Sequence, residues 1–290
     1  MMQWQGRRES DNVDDRRGIT GGHVAIGGGV IGLIFIVVRF FLSGGDVNQL
    51  QQDLQQQPPV YQKEMTDSRK AADDREAAFV RVVLADTEDV WTKLFGDMGR
   101  TYTDPTLVLY RDATTSGCGE ASASSGPFYC PADQKVYIDL SFAQELRDRF
   151  HASGNFAMAY VVAHEVGHHV QNLLGVSAKM DRLRSQLGET AYNKYSVRLE
   201  LQADFYAGLW AHYDQKLKNV IDEGDIASAL SATEAVGDDR LQEEATGAVN
   251  PDSFTHGTSA ERMYWFKKGY ESGDMAQGDT FSATDLDGSH

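Results

Sequence analysis

Apolar positions divide the chain into one long N-terminal run, an amphipathic stretch and a series of helical patterns. Val24 to Leu42 is an almost unbroken apolar run of 19 residues, broken only by glycines and by Arg39. A helix of that length crosses a bilayer, and Arg39 near its far end can snorkel to the interface. Asn48 to Gln62 is rich in glutamine and holds Pro58-Pro59, the composition of a tether with a short extended piece. From about Ser68, the spacing of Phe79, Val82, Val83, Val90, Trp91, Leu94 and Phe95 predicts a helix or two closing on a core. Leu107 to Tyr110 and Val136 to Leu140 read as strands.

The next apolar run, Phe156 to Ala163, has no glycine or proline, and Val166, Val170, Leu173 and Leu174 continue it at helical spacing. Asn155 suits a cap and Gly175 a stop. Further helices are expected over 177–187, 193–218, 226–235 and 259–271. Glu234 to Glu244 is acidic but lacks the spacing of a calcium loop, so it reads as solvated. Gly278 to His290 has no apolar periodicity and is expected to fray. The pattern predicts an α+β chain, mainly helical, with a small β-sheet and one N-terminal transmembrane helix. Its expected parts are a cytoplasmic segment 1–23, a transmembrane helix 24–42, a linker 43–67, a folded domain 68–275 and a disordered acidic tail 276–290.

Composition narrows the class. A chain of 290 residues with 41% hydrophobic content can bury one full core. Its net charge of −16 argues against nucleic acid or an anionic membrane surface as partner. No phosphate loop, dinucleotide fingerprint or serine nucleophile elbow is present, so no nucleotide partner is expected. Arg7, Arg8, Arg16 and Arg17 precede the apolar run, and after Arg39 the next basic residue is Lys63. The positive-inside rule then puts the N-terminus in the cytoplasm and the chain beyond about residue 43 in the periplasm or its equivalent. The apolar run is longer than a usual signal core and Leu42-Ser43-Gly44-Gly45 is a poor small-x-small site, which favours an uncleaved anchor over a signal peptide. Cys118 and Cys130 enclose a Gly/Ser-rich loop. A disulfide there suits an oxidising compartment and contributes on the order of 3 kcal/mol; two free buried thiols are the other reading.

The chemistry concentrates at His164-Glu165-Val166-Gly167-His168. Histidines at i and i+4 share a helix face and can reach one metal ion, while the intervening Glu165 is placed to take a proton from water. His169 lies about 100 degrees further round and reads as structural. A tetrahedral catalytic zinc needs a third protein ligand and leaves one position open. Glu200 is the best candidate, on a helix that also carries Asp204 on the same face. Asp204 then orients a ligand histidine through its second nitrogen. The swapped assignment, with Asp204 on the metal and Glu200 in support, is the alternative. The expected cofactor is one Zn2+ per chain, on His164, His168 and Glu200.

Several separate motifs carry a resemblance. They are Trp4 to Val13, Gly126 to Pro131, Tyr137 to Phe142, His164 to Gln171, Glu200 to Asp204 and His256 to Arg262. In that order they resemble the bacterial putative neutral zinc metallopeptidase family, and the zinc motif is similar to that of gluzincin endopeptidases. The resemblance implies a zincin-like, membrane-anchored peptidase that hydrolyses peptide bonds outside the cytoplasm, with peptide or protein as substrate. It also implies a role for His256: related enzymes place a His-Pro segment six residues before an arginine, and here His256 and Arg262 keep that spacing while Gly257 replaces the proline. His256 would donate to the oxyanion. In enzymes of this architecture a strand runs along the cleft, which points to the strand from Lys135, with Tyr137 and Ile138, as the substrate edge. An interaction protein in which zinc merely joins two helices, and a zinc amidase acting on cell-wall material, share the same metal logic.

Overall fold

Thirty-one residues from Asp67 to Asp97 form the first helix (α1), and its apolar positions are the ones that the spacing marks. The computed structural model describes residues 2–17, 67–122, 126–148 and 155–288. The expected transmembrane helix 24–42 and nearly all of the linker 43–67 lie outside the described residues. Among the described residues, no helix is long and apolar enough to cross a membrane.

Strands β1 (Val13–Asp15), β2 (Thr106–Tyr110), β5 (Phe128–Cys130) and β6 (Lys135–Asp139) form a sheet in the order β1-β2-β6-β5, while β3 (Ala113–Ser116) and β4 (Gly119–Ser122) make a separate hairpin. β1, β2 and β6 run parallel, and β5 is antiparallel to β6. Alternation decides the two faces. Leu107, Leu109, Val136 and Ile138 enter the main core, whereas Val108, Tyr110, Tyr137 and Cys130 pack in a smaller cluster on the other side. β6 is therefore an interior strand. Lys135 to Asp139, expected to offer a free edge to substrate, has none, and the sheet ends on that side at β5.

The helices that follow are α2 (Ser141–Asp148), α3 (Asn155–Leu173), α4 (Val176–Gln186), α5 (Glu189–Lys218), α6 (Glu223–Ala235), α7 (Asp238–Thr246) and α8 (Ser259–Ser272). α3 is buried on nearly every side, as its unbroken apolar composition requires. It stops before Gly175, whose φ of 84° turns the chain into α4. The acidic stretch Glu234 to Glu244, read as solvated, is largely α7: Asp238 and Asp239 sit in its first turn, where carboxylates favour a helix start.

Two boundaries are corrected. The tail from 276 is packed through much of its length, because Thr280 is fully buried and Arg198 holds the carbonyls of Thr280 and Ala283. The segment 1–23, expected apart from the domain, is built into it over residues 2–17, which form one compact unit with residues 72–288. Met2 is in the core and Trp4 meets Phe79 edge-on at 5.6 Å.

α5 and α8 cross at glycines. A Cβ on Gly208 would lie 2.0 Å from the Phe266 carbonyl oxygen, and one on Gly269 would lie 2.1 Å from that of Phe205. α3 meets α5 in the same way, since a Cβ on Gly167 would lie 3.1 Å from the Ala203 oxygen. Small residues at both crossings let three helices converge on one point.

Candidate metal centre

The close approach at Gly167 faces His164 and His168 towards Glu200 on α5. Among the described residues, these three form the one group of histidine, cysteine or acidic side chains whose ligand atoms all lie within 4.8 Å of one another. His164 Nε2 is 3.2 Å from Glu200 Oε2, and His168 Nε2 is 3.4 Å from Oε1.

The far side of each imidazole is fixed. His164 Nδ1 is 2.8 Å from Asp204 Oδ1, and a carboxylate only accepts, so Nδ1 carries the proton. His168 Nδ1 is 2.8 Å from Gln171 Oε1. The Gln171 amide nitrogen donates to the Leu199 carbonyl at 2.7 Å and to Gln202 at 3.2 Å, which leaves its oxygen facing the histidine. Both Nε2 atoms therefore face the space shared with Glu200. Two imidazoles tied through Nδ1 and a carboxylate between their Nε2 atoms would suit a zinc ion with one position left open, the imidazoles giving up any Nε2 proton to it.

Asp204 is itself held. Tyr160 Oη donates to its Oδ1 at 2.5 Å, and Arg262 reaches it with Nε at 2.8 Å and Nη2 at 3.1 Å. Burial raises the Asp204 carboxyl, but Arg262 and His164 outweigh it and bring it to about 2. Glu200 is pulled well below the ordinary range against the same burial, by His168 and His164. Glu165 behaves oppositely: burial raises it more than the two histidines lower it. It lines the cleft with a carboxyl suited to gaining and losing a proton.

The cleft is about 430 Å³ and is lined by His164, Glu165, His168, Glu200 and His256, with Phe128 and Tyr129 of β5 on its wall. His169 points elsewhere. Its Nε2 donates to the Thr103 carbonyl at 2.7 Å, and Tyr129 Oη lies 3.0 Å from its Nδ1, so it ties β5 to α3. The disulfide is formed: Cys118 and Cys130 are joined with Cα atoms 5.8 Å apart, pinning the end of β5 to the β3–β4 hairpin.

His256 is half-exposed at the cleft and is placed by Asp238. Asp238 Oδ2 accepts from the backbone N–H groups of Thr255 at 2.7 Å, His256 at 2.6 Å and Gly257 at 3.1 Å. Its Oδ1 lies 3.2 Å from His256 Nδ1. That contact raises the His256 pKa. Thr258 and Glu261 then close a capping box that starts α8.

Sequence reading singled out His164, Glu165, His168, Glu200, Asp204 and His256, and the fold brings all of them to one region. It gave no role to Gln171, Tyr160 or Asp238. Gln171 and Tyr160 had a usable signal, since they stand at i+3 from His168 and i−4 from His164 on the metal-facing side. Asp238 had none, being 18 residues from its partner.

A His-Glu-x-x-His helix crossed by a second helix that brings a glutamate can hold one metal ion beside a free carboxyl, Glu165. Residues 2–281 match the description putative neutral zinc metallopeptidase, and the chain belongs to that family. It is 49% identical to the uncharacterized protein YpfJ of Escherichia coli K12, over 97% of this chain and 99% of that protein. It is 43% identical to the uncharacterized protein Rv2575 of Mycobacterium tuberculosis H37Rv, over 77% of each. No solved structure matches it.

Proposed function

We propose that the chain is a zinc-dependent peptidase in which His164, His168 and Glu200 hold the metal and Glu165 is the general base. The observation that carries this reading is the convergence of both Nε2 atoms on the Glu200 carboxylate, with both Nδ1 atoms tied behind them. That arrangement also favours Glu200 over Asp204 as third ligand, because Asp204 is saturated by Tyr160, His164 and Arg262. When bound, zinc supplies a Lewis acid that polarises a carbonyl and acidifies water.

The chain's own groups do the rest. Glu165 takes a proton from the attacking water as its oxygen bonds to the scissile carbonyl carbon. The same carboxyl passes that proton to the amide nitrogen as the C–N bond breaks. His256, held by Asp238, donates a hydrogen bond to the oxyanion, a contribution of about 2.7–4 kcal/mol for a preorganised donor. The outer edge of β5 has no strand partner among the described residues, and an extended peptide pairing there would pass over the metal ligands.

A metal that only joined two helices would need neither Glu165 nor a cleft. The proposed compartment is outside the cytoplasm, because the Cys118–Cys130 disulfide persists where conditions are oxidising. The apolar run 24–42 makes the cytoplasmic membrane the proposed partner.

The test is a pair of substitutions assayed on a peptide library. Glu165→Gln is expected to lose hydrolysis and keep zinc, whereas Glu200→Ala loses zinc as well. Full turnover by Glu165→Gln would remove the general base from this scheme.

A further inference from the structure

The N-terminal motif from Trp4 to Val13 has no part in the catalytic reading, yet it is deeply built into the fold. β1 pairs with β2 over Val13–Asp15, and the Leu107 amide donates to the Asn12 carbonyl at 2.9 Å. The Gln3 amide donates to the Val220 carbonyl at 3.0 Å. Glu88 accepts from Ser10 and, at 2.9 Å, from Asn12. Met2 and Ser10 are buried.

The arginines that the positive-inside rule reads as a cytoplasmic mark are engaged here. Arg7 reaches Asp86 at 2.5 Å and Asp214 at 3.8 Å, both carboxylates being buried. Arg8 pairs with Glu88 at 2.8 Å and Asp89 at 2.7 Å. Arg16 reaches Thr114 and the Thr115 carbonyl, each at 3.1 Å, and Arg17 pairs with Asp74 at 3.1 Å. Their positions have a cause in this fold, so they say little about sidedness.

A unit packed in this way has all its parts on one face of a bilayer. Holding the arm on the far face would leave the edge of β2 without β1 and take Arg7 from buried Asp86. Residues 18–66 contain a single apolar run. An apolar run of 19 residues has the length for one helical crossing and not for two. The glutamine-rich residues after it are too polar to return through lipid.

We propose that residues 2–17 and 72–288 lie on the same face of the membrane. The inference stands on the arm alone and is independent of the peptidase reading.

Two single-cysteine variants of the full chain test it. Glu9→Cys lies on the arm and Glu243→Cys on α7, both at exposed positions. A membrane-impermeant maleimide is applied to cells stripped of their wall, before and after permeabilisation. Background from Cys118 and Cys130 is read on the unsubstituted chain. The expected result is that both sites behave alike. Labelling of both in intact cells supports the proposal and the extracytoplasmic compartment. Shielding of both until permeabilisation supports the proposal and overturns that compartment. Labelling of one with shielding of the other overturns the proposal.

Discussion

Asp204 shows how one buried carboxylate serves both fold and site. Its two oxygens take Tyr160, His164 and Arg262, and all four groups are buried. Asp204→Ala would leave the Arg262 guanidinium buried without an anion, a loss of about 3–5 kcal/mol that urea unfolding would register. Gln171 carries less of the fold. Gln171→Leu frees His168 Nδ1 and is expected to weaken zinc about 10–100-fold, by competition with a chelator, with a smaller loss of stability than Asp204→Ala, about 1–3 kcal/mol from the partners it leaves at Leu199 and Gln202. An equal loss of stability from both would mean that Gln171 is structural. Asp238 and His256 act as one device. Asp238→Ala is expected to lower kcat by up to about 100–1,000-fold, the cost of losing an oxyanion donor, with metal content unchanged. The double variant Asp238→Ala/His256→Ala should be little worse than either single one. Multiplying losses would mean that the two residues do not work together.

At the scale of elements, the crossing of α5 and α8 sets the register of the site, because it brings Arg262 on one helix to Asp204 on the other. Gly208→Ala puts a methyl group against the Phe266 backbone, which cannot yield without moving α8. A destabilisation of about 1–3 kcal/mol or more is expected. Gly96→Ala, in α1 with nothing within 4 Å of its would-be Cβ, is the control and should be neutral or slightly stabilising. Equal effects at the two sites would show that close approach is not the cause. Most of the helices were legible from apolar spacing, with ends displaced by a few residues; α5 begins at Glu189 rather than 193. β5 was not legible. Three residues give no period, and its place depends on β6 beside it and on a disulfide and a histidine from elsewhere.

Across the whole molecule, the seat of the N-terminal arm joins distant parts of the chain around Asp86 and Asp214. Arg7 and Lys218 face both carboxylates, Lys218 at 2.6 Å from Asp86 and 3.5 Å from Asp214. Burial raises both acids, and Asp214 pushes Asp86 further up, more than the two cations lower them. The folded state thus holds protons that the unfolded chain gives up. An unfolded aspartate titrates near about 4, so between there and neutrality the native state binds more protons and stability falls as pH rises. Asp214→Asn removes one of these groups and relieves the other. Its melting temperature relative to the unsubstituted chain is expected to climb between pH 5 and pH 8, values chosen to bracket this window. A difference that stays flat with pH, or falls, would show that the pair is not protonated in the native state.

The sequence by itself determined that His164 and His168 share a helix face with Glu165 between them, because neighbours on one helix face are fixed by a period of 3.6 residues and need no further information. It also pointed to Glu200 and Asp204, through a second buried helix with acids one turn apart. Only the tertiary structure decided how those two acids divide their contacts, since that depends on where Arg262 arrives from α8. The seat of residues 2–17 and the packing of the tail around Arg198 were likewise decided by long-range pairing. Short polar segments carry no periodic signal. Their order comes from hydrogen bonds and ion pairs to partners dozens of residues away, which no local window of sequence contains.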